Sequence, residues 1–339
     1  MNGRDPEGDE RGPVTIAYIA ESAGVSVPTV SKVLNGRSGV SDGTRARVEA
    51  LINQYGYQKP PGSRSNVVEL VFRELESMWA VEIIRGVERV AGRSRVGVMV
   101  SEFGLHDSTG MSMDDTVGRR PQCVLSVAQL SEAEREQLRA KGIPFVVFDP
   151  TTELPDDVPF VGATNWRGGH AAARHLIGLG HRRIAMIGGP DEVLCCRARL
   201  AGYGSAMLEA GLPMDAELVV RAPLTREDGR AAARALLTGP DRPTAIFAAN
   251  DLQALGVYQA AREVGLRIPE DLSVVGFDDL PVVAWADPPL TTVHQPLTEM
   301  AVAATELALA LGRGEQIPQI GVEIATTLVV RNSTAPPKG

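Results

Sequence analysis

The sequence predicts a small all-α helix-turn-helix domain followed by an α/β core of doubly wound parallel sheets. Three observations predict it. Residues Thr15 to Asn35 read as two short helices broken by a glycine, the layout that sets a helix in a DNA groove. From Val67 onward, apolar runs of strand length alternate with amphipathic helical stretches. The charge is also divided. Val14 to Ser65 carries six Lys/Arg and three Asp/Glu, whereas residues 66–339 carry 26 basic and 35 acidic side chains. Only the small domain has the sign that phosphate binding requires, although the whole chain is at −8.

Thr15 caps the first helix, whose apolar face is Ile16, Ile19, Ala20 and Ala23. Gly24 supplies the positive φ of a sharp turn. Val25 plugs the angle, and Ser26 caps a second helix burying Val30, Val33 and Leu34. Pro28 lies in its first turn, where no amide hydrogen is missed. The exposed face, Val27, Pro28, Thr29, Ser31 and Lys32, is small and polar enough for a major groove, with Asn35 at its end. A third helix from about Asp42 to Tyr55 buries Val48, Leu51, Ile52 and Tyr55 and carries Arg45 and Arg47 for the backbone. A domain this mildly basic implies modest non-specific affinity, so two readers in a homodimer supply the rest.

The stretch after Tyr57, Q-K-P-P-G-S-R-S-N, reads as a linker over residues 60–66. Strands are expected at V-V-E-L-V-F, V-G-V-M-V, P-F-V-V-F, R-I-A-M-I-G, E-L-V-V, A-I-F-A-A and S-V-V-G-F. Helices are expected at Ala80–Gly92, Ser131–Ala140, Arg197–Ala210, Gly229–Leu237 and Leu252–Val264. About 265 residues suit two such lobes better than one. The start, M-N-G-R-D-P-E-G-D-E-R-G-P, lacks an apolar signal segment, and no apolar run approaches a membrane span, which points to the cytoplasm. Residues 1–13 and the tail from Ser333 are expected to be disordered.

Enzyme signatures are missing: there is no G-x-x-x-x-G-K-[ST], no G-x-S-x-G and no zinc-type Cys/His spacing. No cofactor or metal is expected. His170, His175 and His181 are assigned surface or capping roles, and adjacent Cys195 and Cys196 pack a pocket loop. The telling polar residues stand at strand ends. Asn250 and Asp251 follow A-I-F-A-A, Asp278 and Asp279 follow S-V-V-G-F, and Arg199 opens a helix after the strand ending at Gly188. These positions project into a cleft, with donors and acceptors suited to vicinal sugar hydroxyls. Helix caps are the competing role, especially for Asp251 and Asp279.

Together, A-G-V-S-V-P-T-V-S-K-V-L-N, V-S-x-x-T-R-x-R-V and G-Y resemble the N-terminal domain of the lactose-repressor (LacI/GalR) family. Further matches are H-L-I-G-L-G-H-R-R-I-A, R-L-A-G-Y, A-A-N-D-L-Q-A-L-G, I-P-E-D-L-S-V-V-G-F-D-D and P-P-L-T-T-V, so the resemblance covers about Val14 to Arg331. It implies a DNA-binding domain at 14–59 and a type I periplasmic-binding-protein-like core at 67–332. Lobe 1 would span about 67–164 and 296–323, and lobe 2 about 165–294 and 324–332. Crossings fall near Ala163–Asn165, Val293–Pro296 and Val322–Thr326.

The resemblance further implies a repressor of carbohydrate-utilisation genes, released from operator DNA by a small sugar between the lobes. Thr15, Ser26, Asn35, Arg45, Arg47 and Arg64 join the exposed helix face as DNA contacts. Arg199, Asn250, Asp251 and Asp278, with Asn165 and Gln295 at crossings, form the expected effector set. Trp79, Trp166 and Trp285 all fall in cleft-forming segments, where an indole suits the C–H face of a pyranose. Leu224 stands where many relatives carry an aromatic. Relatives also carry a linker helix whose leucine wedges into the minor groove. Here the linker has Pro60 and Pro61 and no leucine, which leaves Arg64 to enter by charge. The motifs R-S-G-V-S and A-T-N-W-R-G-G resemble actinobacterial regulators of plant-polysaccharide use, so xylose, xylobiose or a cello-oligosaccharide heads the expected effectors. The rival reading is a sugar-binding protein of transport or chemotaxis, which the N-terminal reader disfavours.

Overall fold

The computed structural model describes residues 15–34, 38–55, 57, 64–73, 75, 78–103, 111–317 and 319–338. Asn35, residues 1–13 and linker residues 58–63 lie outside them. The chain divides into two compact units, Met1–Ser65 and Asn66–Gly339.

The first unit holds α1 (Ile16–Ala23), α2 (Val27–Leu34) and α3 (Asp42–Gln54). The Thr15 hydroxyl accepts the Tyr18 amide at 3.2 Å, and Gly24, at φ 63°, closes α1 with its amide on the Ala20 and Glu21 carbonyls. The Ser41 hydroxyl accepts the Thr44 amide at 3.3 Å, which starts α3. Ile19, Ala20, Ala23, Val30, Val33, Val48 and Tyr57 are buried together, and Val25, Leu51, Ile52 and Tyr55 pack around them. Ser26 behaves differently from a side-chain cap. Its hydroxyl meets the Thr29 hydroxyl at 2.9 Å, while its carbonyl accepts the Thr29 and Val30 amides.

The second unit is built on two six-stranded sheets. The first runs β11 (Gly321–Ile324), β5 (Phe160–Ala163), β4 (Phe145–Phe148), β3 (Cys123–Ser126), β1 (Val67–Phe72), β2 (Gly97–Glu102), all parallel. The second runs β12 (Thr327–Val329), β10 (Thr291–His294), β9 (Ser273–Asp278), β8 (Ala245–Ala248), β6 (Ile184–Gly188), β7 (Val219–Arg221), with only β12 antiparallel. Each apolar run expected to be a strand contains one, although Glu217 and Leu218 of E-L-V-V belong to a 3-10 turn that precedes β7. Strands β3, β5, β10, β11 and β12, of three or four residues, were not singled out by the sequence pattern.

Apolar side chains cover both faces of each sheet. Leu70, Phe72 and Phe148 bury against α4 (Met78–Ser94) and α11 (Leu297–Gly312), and Val124, Phe145 and Val147 against α6 (Glu132–Ala140). In the second lobe, Ile187 and Ile246 face α9 (Arg226–Leu237) and α10 (Asp251–Glu263). Met186 and Phe247 face α7 (Asn165–Gly178) and α8 (Leu194–Glu209). The chain passes between lobes at Thr164, at Gln295–Pro296 and at Ala325–Thr326. The first and last passages are tied: the Thr326 amide donates to the Thr164 hydroxyl at 3.0 Å, and the Thr326 hydroxyl to the Thr164 carbonyl at 3.1 Å. Among the described residues, no helix is long and apolar enough to cross a membrane.

Two expectations are corrected. Residues 333–338 are packed rather than disordered. The buried Ser333 hydroxyl takes the Thr291 amide at 2.7 Å and donates to the Val274 carbonyl at 2.6 Å. His181, expected at the surface or as a cap, is buried and bonds Thr244, Ser273 and the Ala335 carbonyl. The cause is the start of β9: Ser273 and Val274 precede the first residue paired with β10, so their backbone groups on that side would otherwise lack partners. Deleting residues 333–339 should lower core stability by about 2–4 kcal/mol, because it strands the Thr291 amide and the Val274 carbonyl. Urea unfolding of the truncated and intact chains measures the difference.

Candidate functional site

The helical unit offers one surface of interest. On α2, Ser26, Val27, Pro28 and Lys32 are exposed, and Thr29 and Ser31 are half-buried. Thr15 is exposed beside the start of α1. Arg47 is exposed on α3, whereas Arg45 and Arg64 are half-buried. Among the described residues, this face of α2 therefore presents short side chains and one long cation, Lys32. That combination lets a helix approach base edges closely while cations meet phosphates.

The core's polar centre is Arg199, only 3% exposed. It lies in the second turn of α8, and its position is set by backbone contact. A Cβ on Gly169 of α7 would strike the Arg199 carbonyl, and one on Gly202 would strike the Trp166 carbonyl. The two glycines thus let α7 and α8 touch along their backbones. The guanidinium then reaches across the lobe. Nε donates to Asn165 Oδ1 at 2.9 Å, Nη1 to the Ala249 carbonyl at 2.6 Å, and Nη2 to Gln295 Oε1 at 3.1 Å. Its plane lies over the Phe277 ring, 3.6 Å from the centroid. Gln295 continues the chain of bonds, with Nε2 donating to Asp149 Oδ2 at 2.9 Å. One network thereby joins both lobes and two of the three passages.

Asp278 completes it differently. Its nearest oxygen is 3.7 Å from Arg199 Nη1, beyond hydrogen-bond reach. The carboxylate feels the charge and keeps its acceptor capacity for a ligand. Asp149 and Asp278 have φ of 46° and 108°, unusual for non-glycine residues, and each stands at the carboxyl end of a strand. Burial pushes the Asp278 carboxyl up to about 7, against the pull of Arg199, and Asp149 adds to the rise. Burial also raises Asp149, with Arg199 opposing.

This shift links stability to pH. Above the ordinary carboxylate range and up to about pH 7, folded Asp278 keeps a proton that the unfolded chain has released. Its contribution to stability is complete at low pH and is lost as pH rises through about 7. The melting temperature of the ligand-free protein should carry this decline, and Asp278→Asn should remove it. Thermal melts across this pH range, compared between the two proteins, test it.

The other expected effector residues separate. Asn250 is the N-cap of α10: its Oδ1 accepts the Gln253 amide at 2.9 Å and its Nδ2 donates to the Leu224 carbonyl at 2.9 Å. Asp251 is a correction. It is fully buried, with its two oxygens on the Leu280 amide (2.8 Å) and the Thr292 hydroxyl (2.6 Å), so it braces the lobe from within. Asp279 pairs with Arg331 at 2.6 Å and His294 at 3.1 Å. Trp79 packs edge-on to Phe148 at 5.9 Å, against the first lobe's core.

A cavity of about 600 Å³ opens between the lobes. Asp149 and Asn165, both in the Arg199 network, form part of its wall with Phe160, Leu194, Cys195 and Trp166. Trp285 does not line it: the residue is 78% exposed, because its 3-10 turn carries it outward. Among the described residues no His, Cys, Asp or Glu cluster could hold a metal.

Comparison with known proteins decides the family. Residues 15–59 match the model of bacterial regulatory proteins of the lacI family, and residues 173–334 match a periplasmic binding protein-like domain. The HTH-type transcriptional regulator MalR of Streptomyces coelicolor is 36% identical over 342 residues, covering 96% of this chain and 97% of MalR. The chain belongs to the LacI family. A solved complex of the transcriptional regulator CelR with cellobiose is 33% identical, with TM-score 0.72, covering 94% of this chain and 99% of that one. The lac repressor dimer bound to operator and an anti-inducer is 27% identical, with TM-score 0.71, covering 96% and 100%.

This LacI-family chain is therefore a DNA-binding transcriptional regulator, and its relatives are regulators rather than enzymes. Of the residues in its core network, sequence reasoning missed Asp149. The signal was present, since F-D-P follows P-F-V-V-F as the Asn-Asp and Asp-Asp pairs follow their strands. Phe160 was missed as well. It sits on a four-residue strand whose sequence alone carries no alternation to read.

Proposed function

We propose that the protein represses carbohydrate-utilisation genes in the cytoplasm, binds a pseudo-palindromic operator as a homodimer, and releases it when a neutral sugar binds between the core lobes. The observation that carries the sugar reading is the buried group of Arg199, Asn165, Gln295, Asp149 and Asp278. It mixes donors and acceptors around one cation, whose own donors are already taken up, and two carboxyl groups, which suits neutral hydroxyls. The cellobiose complex of CelR and the operator complex of the lac repressor dimer support the same assignment. Xylose, xylobiose and cello-oligosaccharides are the effectors to try first.

A ligand shifts the lobes only by binding one orientation more tightly than the other. The bonds it competes with or reinforces are those already made between lobes. They include Gln295 to Asp149, the Leu194 amide to the Thr151 carbonyl at 2.7 Å and Arg197 to Glu153 at 3.4 Å.

Titration of the purified full chain with these sugars, followed by tryptophan fluorescence and by operator release, tests the proposal. Arg199→Met and Asp278→Asn should each abolish release by sugar while operator affinity stays within about twofold, since neither residue lies in the helical unit. Unchanged sugar response in both variants refutes the site. On the DNA side, Lys32→Ala and Thr29→Ala should each weaken specific binding by roughly 1–3 kcal/mol, whereas Arg47→Ala should weaken all sequences alike. Mobility shifts on specific and scrambled duplexes separate the two effects.

A further inference from the structure

One aromatic at the cavity is held in a way that core packing does not explain. Trp166 follows Asn165 directly, lines the cavity and is 44% exposed. An indole left in water forgoes a large burial gain, so its exposure points to an absent partner. Its ring is not loose. The His170 imidazole, one turn on in α7, stacks on it at 5.0 Å and 15°. His170 is itself fixed by Glu209 of α8, whose two carboxylate oxygens lie 3.1 and 3.0 Å from Nε2. The backbone below is fixed as well, because Gly202 lets the Trp166 carbonyl press against α8. The cavity's volume of about 600 Å³ is roughly twice the lower limit for small-molecule sites, about 300 Å³.

We infer that Trp166, backed by His170 and Glu209, is the platform for a second ring of the effector, so that the protein responds to a neutral oligosaccharide of at least two units rather than to a monosaccharide. This rests on the sugar reading of the Arg199 group, which holds the first ring. Asn165 joins the two places: its side chain bonds Arg199, and its neighbour in sequence is the platform. A flat apolar face rewards the C–H face of a pyranose without demanding charge, and it discriminates by length because a lone ring at Arg199 does not engage it. The residues at the mouth, Glu153, Arg167 and Glu323, carry mixed charge, which fits a neutral chain. Trp166 is thus a specificity residue for chain length, and His170 is a positioning residue that acts through it.

The test is calorimetric titration of the full chain with two homologous series, xylose to xylotriose and glucose to cellotriose. In the series that binds, the disaccharide should bind about tenfold or more tightly than the monosaccharide. Trp166→Ala should erase most of that ratio, and Trp166→Phe should restore part of it. His170→Ala should lower the same ratio, and His170→Phe should preserve it, a pattern that loss of folding would not produce. Operator binding by each variant verifies that the chain is intact. Equal affinity for one and two rings, with Trp166→Ala changing neither, overturns the inference and leaves the sugar reading standing if Arg199→Met still abolishes binding. Absence of binding by every sugar in both series overturns the sugar reading and the inference together.

Discussion

The core depends on the burial of one guanidinium. Removing an arginine from water costs several kcal/mol, and that cost is met only if its donors are taken up. Arg199 has its Nε, Nη1 and Nη2 bonded by groups from three separate segments and its face covered by Phe277. Two of those segments, at Asn165 and Gln295, are places where the chain passes between lobes. The demand of one cation for partners therefore fixes how two passages lie against the second lobe. Asp278 remains the member without a close bond, and so the member from which a ligand gains most.

Much of this arrangement was legible because doubly wound sheets obey one rule: residues just past the carboxyl end of an apolar strand face the cleft. The rule points to Asp278, and applied to F-D-P it points to Asp149; both stand in the group around Arg199, which itself lies further on, in the second turn of α8. The rule does not separate neighbours in a pair. Asn250 and Asp251 differ by one residue. The first caps α10, whereas the second turns inward to the Leu280 amide and the Thr292 hydroxyl. That choice depends on a loop some thirty residues downstream, which local sequence does not encode. The tryptophans show the same limit. All three lie in cleft-forming segments, yet packing sends Trp79 to Phe148, Trp285 to solvent and Trp166 to the cavity.

The remaining differences have related causes. Strands of three or four residues carry too little pattern to announce themselves, and their identity comes from the neighbours that pair with them. Polar ends of a chain look soluble by composition, although Ser333 and Ala335 are recruited by unpaired groups on β9 and by His181. Glycines inside α7, α8, α9 and α10 lower helix propensity. In the structure they are contact points, because Gly169, Gly202, Gly229 and Gly256 are where paired helices meet backbone to backbone.

The order in which the sheets are completed bears on how the protein comes into being. Strand β11 is the outer strand of the first sheet and β12 that of the second, and both come from residues 321–329. Neither sheet is whole until that segment has been synthesised. The three helices of the first unit, by contrast, need nothing beyond Tyr57 for their buried core. Because chains fold from the N-terminus as they emerge, the part that grips DNA matures well before the part that answers to a ligand. A nascent chain is for a time a reader without its control. Each molecule gains the ability to respond only when nearly all of it has left the ribosome.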